Sequence, residues 1–79
     1  MPMLDAKAVG AVLRRYRQQR GLTLAVVSGL ADMSTAHLSK LERGDKLANL
    51  DSVFKVARAL EVSPADIVRD IEKEMQKGP

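Results

Sequence analysis

The chain has 79 residues, enough for one domain spanning 1–79, and its 46% apolar content with one Phe, one Tyr and no Trp predicts an aliphatic core. With no cysteine and a single histidine, disulfides are excluded, no metal site or cofactor is expected, and so small a core favours self-association. No apolar run approaches the roughly 20 residues of a membrane span and no signal peptide is recognisable, which predicts a cytoplasmic protein without a membrane partner.

The net charge of +3 is unevenly distributed along the chain. Residues 1–43 contain seven Lys or Arg against three Asp or Glu, a net charge of +4, whereas residues 44–79 contain six against seven, a net charge of −1. A basic half suits a polyanion such as nucleic acid. A solvated, arginine-rich helix face would explain the same charge, so charge supports a nucleic-acid partner without establishing one.

Helix 1 is predicted from a cap at Asp5 to a stop at Arg20-Gly21. Its buried stripe at helical spacing consists of Ala8, Val9, Val12, Leu13 and Tyr16. Gly10 costs helix stability at this position, so it predicts close approach of a neighbouring helix backbone.

Helix 2 follows the cap Thr23 and runs from about Leu24 to Ala31. A turn at residues 32–34 leads to helix 3, which is capped by Ser34 and runs from Thr35 to about Arg43. Two short helices joined by a tight polar turn are the layout of a helix-turn-helix. Val26 and Leu30 lie away from the core face of helix 2. They indicate either a shallow core or a contact with a second protein.

Helix 3 turns Leu38 and Leu41 inward and a polar face outward. The outward face consists of Thr35, Ala36, Ser39, Lys40 and Arg43. Short side chains near the start and cations near the end can approach base edges in a major groove, although any surface helix needs a polar face. Five residues are candidates for phosphate contacts: Thr23, Ser34, His37, Lys46 and Asn49. For His37, partial packing is the alternative.

Helix 4 is predicted after the cap Asn49, with six mostly buried core residues: Leu50, Val53, Phe54, Val56, Ala57 and Leu60. Ser63-Pro64 begins helix 5, which runs over about 64–76. The domain core is expected over about 6–67. The helix 5 stripe of Ile67, Ile71 and Met75 predicts pairing with a second copy of the chain, the alternative being a C-terminal helix that lies on its own domain.

Short motifs follow one another in a fixed order over residues 9–67: Val9-Gly10, Leu13-Arg14, Arg17, Gly21-Leu22-Thr23, Ala31, Met33-Ser34, Leu38-Ser39, Leu41-Glu42-Arg43-Gly44, and residues 56–63. Together they resemble the Cro/lambda-repressor-like helix-turn-helix family, also called XRE. The resemblance implies an all-α, compact five-helix bundle that binds operator DNA as a dimer, with helix 3 in the major groove. The small size resembles restriction-modification controller proteins and compact phage or plasmid repressors.

Carried over from the family, four residues fall at base-reading positions: Thr35, Ala36, Ser39 and Lys40. Arg43 falls where a further DNA contact is common. The resemblance also implies an ion pair between Arg17 and Glu42 that joins helix 1 to the end of helix 3. If both side chains are half-buried, this pair is structural.

The chain departs from the family pattern inside the helix-turn-helix. Leu24 replaces a glutamine that contacts phosphate and supports the first reading residue, Ser28 replaces an alanine, and Asp32 replaces the turn glycine. Thr35 and Ala36 are too short for bidentate recognition of a purine. Discrimination is therefore expected from methyl contacts, from DNA shape and from three later residues: Ser39, Lys40 and Arg43.

Two functions from different classes follow. The first is a sequence-specific DNA-binding transcriptional regulator, a homodimer on an inverted-repeat operator. The alternative is a protein-interaction module, such as an antitoxin or anti-activator, that uses Val26 and Leu30. An enzyme is not expected, because one histidine with no cysteine and no paired carboxylates offers no acid-base site.

Overall fold

The computed structural model describes residues 4–77, and within this range the chain forms five α-helices and no strand. The helices are α1 (Ala6–Gln19), α2 (Leu24–Leu30), α3 (Thr35–Arg43), α4 (Leu50–Leu60) and α5 (Pro64–Gln76). Each begins at the predicted cap, whose side chain accepts a backbone N–H: Asp5, Thr23, Ser34, Asn49 and Ser63. The all-α, five-helix prediction is confirmed.

The core lies around α1, which packs against α3, α4 and α5. Its largest fully buried side chains are aliphatic: Leu13, Leu38, Leu41, Leu60 and Ile67. The close approach predicted at Gly10 is confirmed. A Cβ there would collide with the backbone carbonyls of Leu41 and Glu42, so α1 and α3 touch backbone to backbone.

Polar contacts also hold α1 against α5. Arg15 Nη1 lies 3.3 Å from Glu74 Oε1. The Tyr16 hydroxyl donates a hydrogen bond to the Asp70 carboxylate. This hydrogen bond, together with burial and the charge of Asp70, raises the pKa of Tyr16 to about 12. The two contacts fix α5 along α1.

The prediction that Leu50 and Phe54 belong to the core is wrong. Leu50 is 65% exposed and Phe54 is 53% exposed, whereas Val53 and Leu60 of the same helix are buried. The apolar arc of α4 is wider than the surface that its neighbours cover, so its edge remains in solvent.

The structure also corrects the dimer contacts predicted on α5. Ile67 is fully buried in the core, so it cannot contact a second subunit. Ile71 is only 6% exposed and is largely a core residue as well. Both side chains are used by the monomer because α5 packs on α1 and α4 along this stripe. Met75 is partly buried, and its role in a dimer stays a prediction.

Over residues 4–77, no helix combines the length and the hydropathy that crossing a membrane requires.

Candidate nucleic-acid interface

The outward face of α3 presents the five residues predicted to read bases. Thr35, Ala36, Lys40 and Arg43 are exposed and Ser39 is partly buried. Leu38 and Leu41 are buried on the opposite side and fix the rotation of the helix about its axis. The structure therefore brings the five residues together on one surface: Thr35, Ala36, Ser39, Lys40 and Arg43.

A hydrogen bond across the turn holds the first of these residues. Ser28 Oγ on α2 lies 2.9 Å from Thr35 Oγ1 and 3.1 Å from the carbonyl oxygen of Ala25. Because the Ser28 hydroxyl donates to the carbonyl oxygen of Ala25, the Thr35 hydroxyl donates to Ser28, and the lone pairs of Thr35 stay free to accept a hydrogen bond. Thr35 then presents a methyl group and an acceptor in a defined orientation.

The contact between Ser28 and Thr35 was missed by sequence reasoning, which recorded Ser28 only as a departure from alanine. The available signal was a pair of hydroxyls seven residues apart on the two sides of the turn. Ser28 is buried, so its hydroxyl requires a partner, and Thr35 lies within reach. Support for the first reading residue, Thr35, therefore comes from Ser28 in the middle of α2. In the family pattern, this support comes from the residue at the position of Leu24.

The ion pair implied for Arg17 and Glu42 is present and buried. Arg17 Nε and Nη2 donate to the two carboxylate oxygens of Glu42 at 2.8 and 2.9 Å, and Nη1 donates to the carbonyl oxygen of Leu22 at 2.8 Å. The side chains are only 12% and 5% exposed. The hydrogen bond to Glu42 raises the pKa of Arg17 despite the opposing effect of burial. One guanidinium thus ties α1 to the end of α3 and to the segment that enters α2.

The predicted phosphate contacts lie at helix starts and in the loop after α3. The N-caps Thr23, Ser34 and Asn49 each accept a backbone N–H, at 3.1, 3.0 and 2.8 Å. Capping occupies an acceptor, so the hydroxyl protons of Thr23 and Ser34 and the amide protons of Asn49 remain able to donate to a phosphate oxygen. Lys46 is exposed and His37 is partly buried.

Arg43 at the end of α3 lies beside polar side chains of α1 that the sequence pattern does not indicate as DNA contacts. Arg43 lines a shallow cleft between α1 and α3 together with Arg14, Arg15 and Gln18. Arg43 Nε also donates to Asp45 Oδ2 at 3.0 Å, and both side chains are more than half exposed. Such an exposed pair is weak and solvent-screened, so a phosphate can displace Asp45. The cleft adds Arg14 and Gln18 to the candidate DNA contacts.

Comparison with known proteins gives one family and several relatives. The helix-turn-helix family model HTH_3 matches residues 13–67. The transcriptional regulator ClgR of Mycobacterium tuberculosis is 32% identical over 77 residues, which cover 98% of this chain and 69% of ClgR. The HTH-type transcriptional regulator DdrOP3 of Deinococcus deserti is 35% identical over 60 residues. That match covers 76% of this chain but only 46% of DdrOP3, so the chain spans less than half the length of this relative.

Solved structures share the fold. The clp gene regulator ClgR from Corynebacterium glutamicum superposes with a TM-score of 0.85 at 35% identity, over 95% of this chain and 96% of the other. The restriction-modification controller protein C.AhdI from Aeromonas hydrophila gives 0.76 at 26% identity, over 82% and 98%. Both resemblances extend well beyond the helix-turn-helix to most of the five helices.

Proposed function

The chain belongs to the helix-turn-helix family HTH_3, and we propose that it regulates transcription as a homodimer on an inverted-repeat operator, with α3 in the major groove. The observation that carries the proposal is the exposed polar face of α3, held in place by the buried pair of Arg17 and Glu42. A reading helix must be rigid, since its base contacts depend on positions within fractions of an ångström.

Two kinds of contact with DNA are expected along α3. Thr35 and Ala36 carry methyl groups suited to the thymine methyl, and the hydroxyl oxygen of Thr35 can accept from an exocyclic amine. Lys40 and Arg43 reach guanine acceptors or phosphates. Base discrimination therefore has an apolar part at the start of the helix and a cationic part at its end.

The N-caps of α2, α3 and α4 position the domain on the sugar-phosphate backbone of the DNA. Thr23, Ser34 and Asn49 lie at helix N-termini, where the backbone dipole favours an anion. Lys46, Arg14 and Gln18 extend this support on either side of α3. These contacts would set register on the duplex without reading sequence.

The direct test is selection of duplexes from a randomised pool, followed by binding measurements over a range of salt concentrations. We expect an enriched inverted repeat with half-sites about one helical turn apart and affinity that falls steeply with salt. Lys40→Ala should lower the salt slope by about one unit if this side chain neutralises a phosphate. Binding to no duplex, or binding without salt dependence, would overturn the proposal.

The interaction-module alternative is not favoured. Its motivating residues, Val26 and Leu30, are indeed 46% and 61% exposed, but the matched relatives are named as transcriptional regulators. The relatives are likewise not named as enzymes.

A further inference from the structure

The first turn of α3 presents methyl groups and no long polar side chain. The cap Ser34 is followed by Thr35 and Ala36, which are both exposed. The first cation of the helix, Lys40, begins about 7.5 Å further along the axis at 1.5 Å per residue. Arg, Asn and Gln, the side chains that contact guanine or adenine with two hydrogen bonds, do not occur on this turn. Recognition by the first turn therefore depends on smaller groups.

The hydroxyl proton of Thr35 is occupied within the protein. Thr35 Oγ1 lies 2.9 Å from the hydroxyl oxygen of Ser28, which is only 2% exposed. Because the Ser28 hydroxyl donates to the carbonyl oxygen of Ala25 at 3.1 Å, the proton of Thr35 is used in the bond to Ser28. Thr35 therefore has no proton left for a base, and its free hydrogen-bonding capacity is that of an acceptor.

The same hydrogen bond fixes the methyl group of Thr35. Oγ1 and Cγ2 are both bonded to Cβ, so holding Oγ1 against Ser28 selects one χ1 rotamer and one direction for Cγ2. Thr35 is exposed although its hydroxyl contacts a buried residue, so its methyl group is available for contact. Ala36 adds a second methyl group, whose direction the helix backbone sets. The first turn of α3 thus has a fixed apolar contact group.

We propose that the first turn of α3 recognises the C5 methyl group of a pyrimidine, so that methylation of an operator cytosine at this position strengthens binding. The inference rests on the proposed function, since it names the chemical group that the reading helix contacts. Thymine carries this methyl group in the major groove, and 5-methylcytosine carries it on the same ring carbon. Contact with Thr35 and Ala36 removes hydrocarbon surface from water on both sides.

The methylated cytosine is the better complement of Thr35. Beside the C5 methyl group, thymine presents the O4 acceptor, whereas 5-methylcytosine presents the N4 amine, which is a donor. The oxygen of Thr35 can accept from an amine, but Thr35 has no free proton to give to O4. Of the two methylated pyrimidines, only 5-methylcytosine matches both the methyl group and the acceptor of this side chain. Methylation of the operator would thereby change its occupancy.

The test is a scan of single methyl groups through the duplex selected with the wild-type protein. Each thymine is replaced in turn by uracil, which removes only the C5 methyl group, and each cytosine by 5-methylcytosine, which adds only that group. Fluorescence anisotropy measures each dissociation constant at one salt concentration. We expect one or two adjacent positions in each half-site where removal weakens binding, or addition tightens it, by about threefold to tenfold.

Thr35→Ser separates a direct contact from the effect of methyl groups on DNA shape. This variant keeps the hydroxyl that contacts Ser28 and loses only Cγ2, so the methyl response should fall to about half of its wild-type factor or less. Thr23→Ser is the matched control, because it removes the same group from the only other threonine, the cap of α2, and should leave the response unchanged. Circular dichroism checks that each variant is folded. If Thr35→Ser is unfolded, Ser28→Ala carries the test, because it releases the Thr35 side chain and should lower the response likewise.

The outcomes separate the inference from the proposed function. Salt-dependent binding to a duplex that is insensitive to every uracil and 5-methylcytosine substitution would overturn the inference and leave the proposed function standing. The inference is equally wrong if Thr35→Ser keeps the full wild-type response or if Thr23→Ser loses it. Binding to no duplex would overturn the proposed function and the inference with it. A methyl response that depends on Thr35 supports both.

Discussion

The joint between α1 and α3 and the outer surface of α4 differ in how completely neighbouring helices cover them. At the joint, Gly10 lets two backbones touch, and Arg17 and Glu42 form a buried bidentate pair. On α4, Leu50 and Phe54 are left in solvent. The joint is closely packed and fully hydrogen-bonded, whereas the outer side of α4 is not covered by the other described helices. Substitutions in the joint should therefore destabilise the protein, whereas polar substitutions of Leu50 or Phe54 should change its stability little.

The largest expected effect comes from breaking the buried ion pair. Arg17→Met leaves the Glu42 carboxylate buried without its partner, and we expect a loss of about 3–5 kcal/mol in the free energy of unfolding. Urea denaturation measures it. The double variant Arg17→Met with Glu42→Leu should recover most of the loss, because no unpaired charge then remains. A double variant as unstable as the single one would contradict this account of the joint.

Filling the backbone contact should be the next largest effect. Gly10→Ala places a methyl group against the carbonyls of Leu41 and Glu42, and we expect destabilisation of about 1–3 kcal/mol by thermal or urea unfolding. Gly29→Ala in α2 is the control, because a Cβ there meets nothing within 4 Å. Since alanine is the better helix former, Gly29→Ala should stabilise the protein by up to about 1 kcal/mol. Equal effects of the two substitutions would show that the close approach of α1 and α3 does not explain the glycine at position 10.

A smaller effect is expected where the joint meets the reading face. Ser28→Ala removes the hydroxyl that holds Thr35, and we expect about 1 kcal/mol of lost discrimination at the base pair facing Thr35. Affinity for non-operator DNA should hardly change, since phosphate contacts are untouched. Competition binding with operators substituted at single positions measures the difference. Uniform weakening at all positions would indicate a general structural defect.

An effect of similar size is expected from pH at the contact between α1 and α5. The pKa of Tyr16 is raised to about 12 in the folded chain from 10.0, so the stability from its hydrogen bond to Asp70 is fully present below pH 10 and is lost as pH rises through 12. We expect about 1 kcal/mol, the usual net value of such a bond. Urea unfolding at pH 8 and pH 11 should show a fall for wild type that Tyr16→Phe lacks. The same fall in both proteins would assign the pH dependence to other groups.

Much of the fold could be predicted because its signals are local. Helix starts depend on one side chain and the next few N–H groups, which is why the caps from Asp5 to Ser63 were correctly placed. The left-handed turn at Asp32, with φ 56°, is also short-range in its cause. At Gly10 the glycine in a helix interior is a local signal, although the contact that it allows is with α3. The candidate reading face follows from helical period alone.

The errors concern which part of an apolar stripe its neighbours cover. On α4 the apolar positions span about 160° at 100° per residue, and only the sector around Val53 and Leu60 meets other helices. The adjacent residues Ile67 and Val68 on α5 also differ in burial: Ile67 is fully buried, whereas Val68 is 46% exposed. Composition and spacing do not indicate which of these apolar residues are covered by neighbouring helices.

The amino-acid sequence specified the five helices, the helix-turn-helix and the family, because caps, helical period and short motifs are set by residues close together in the chain. The tertiary structure decided that Ser28 contacts Thr35, that Arg17 and Glu42 are paired and buried, and that Phe54 faces solvent while Ile67 does not. Each of these depends on how far one helix covers another. Crossing angles and distances between helices, summed over the whole core, set that coverage.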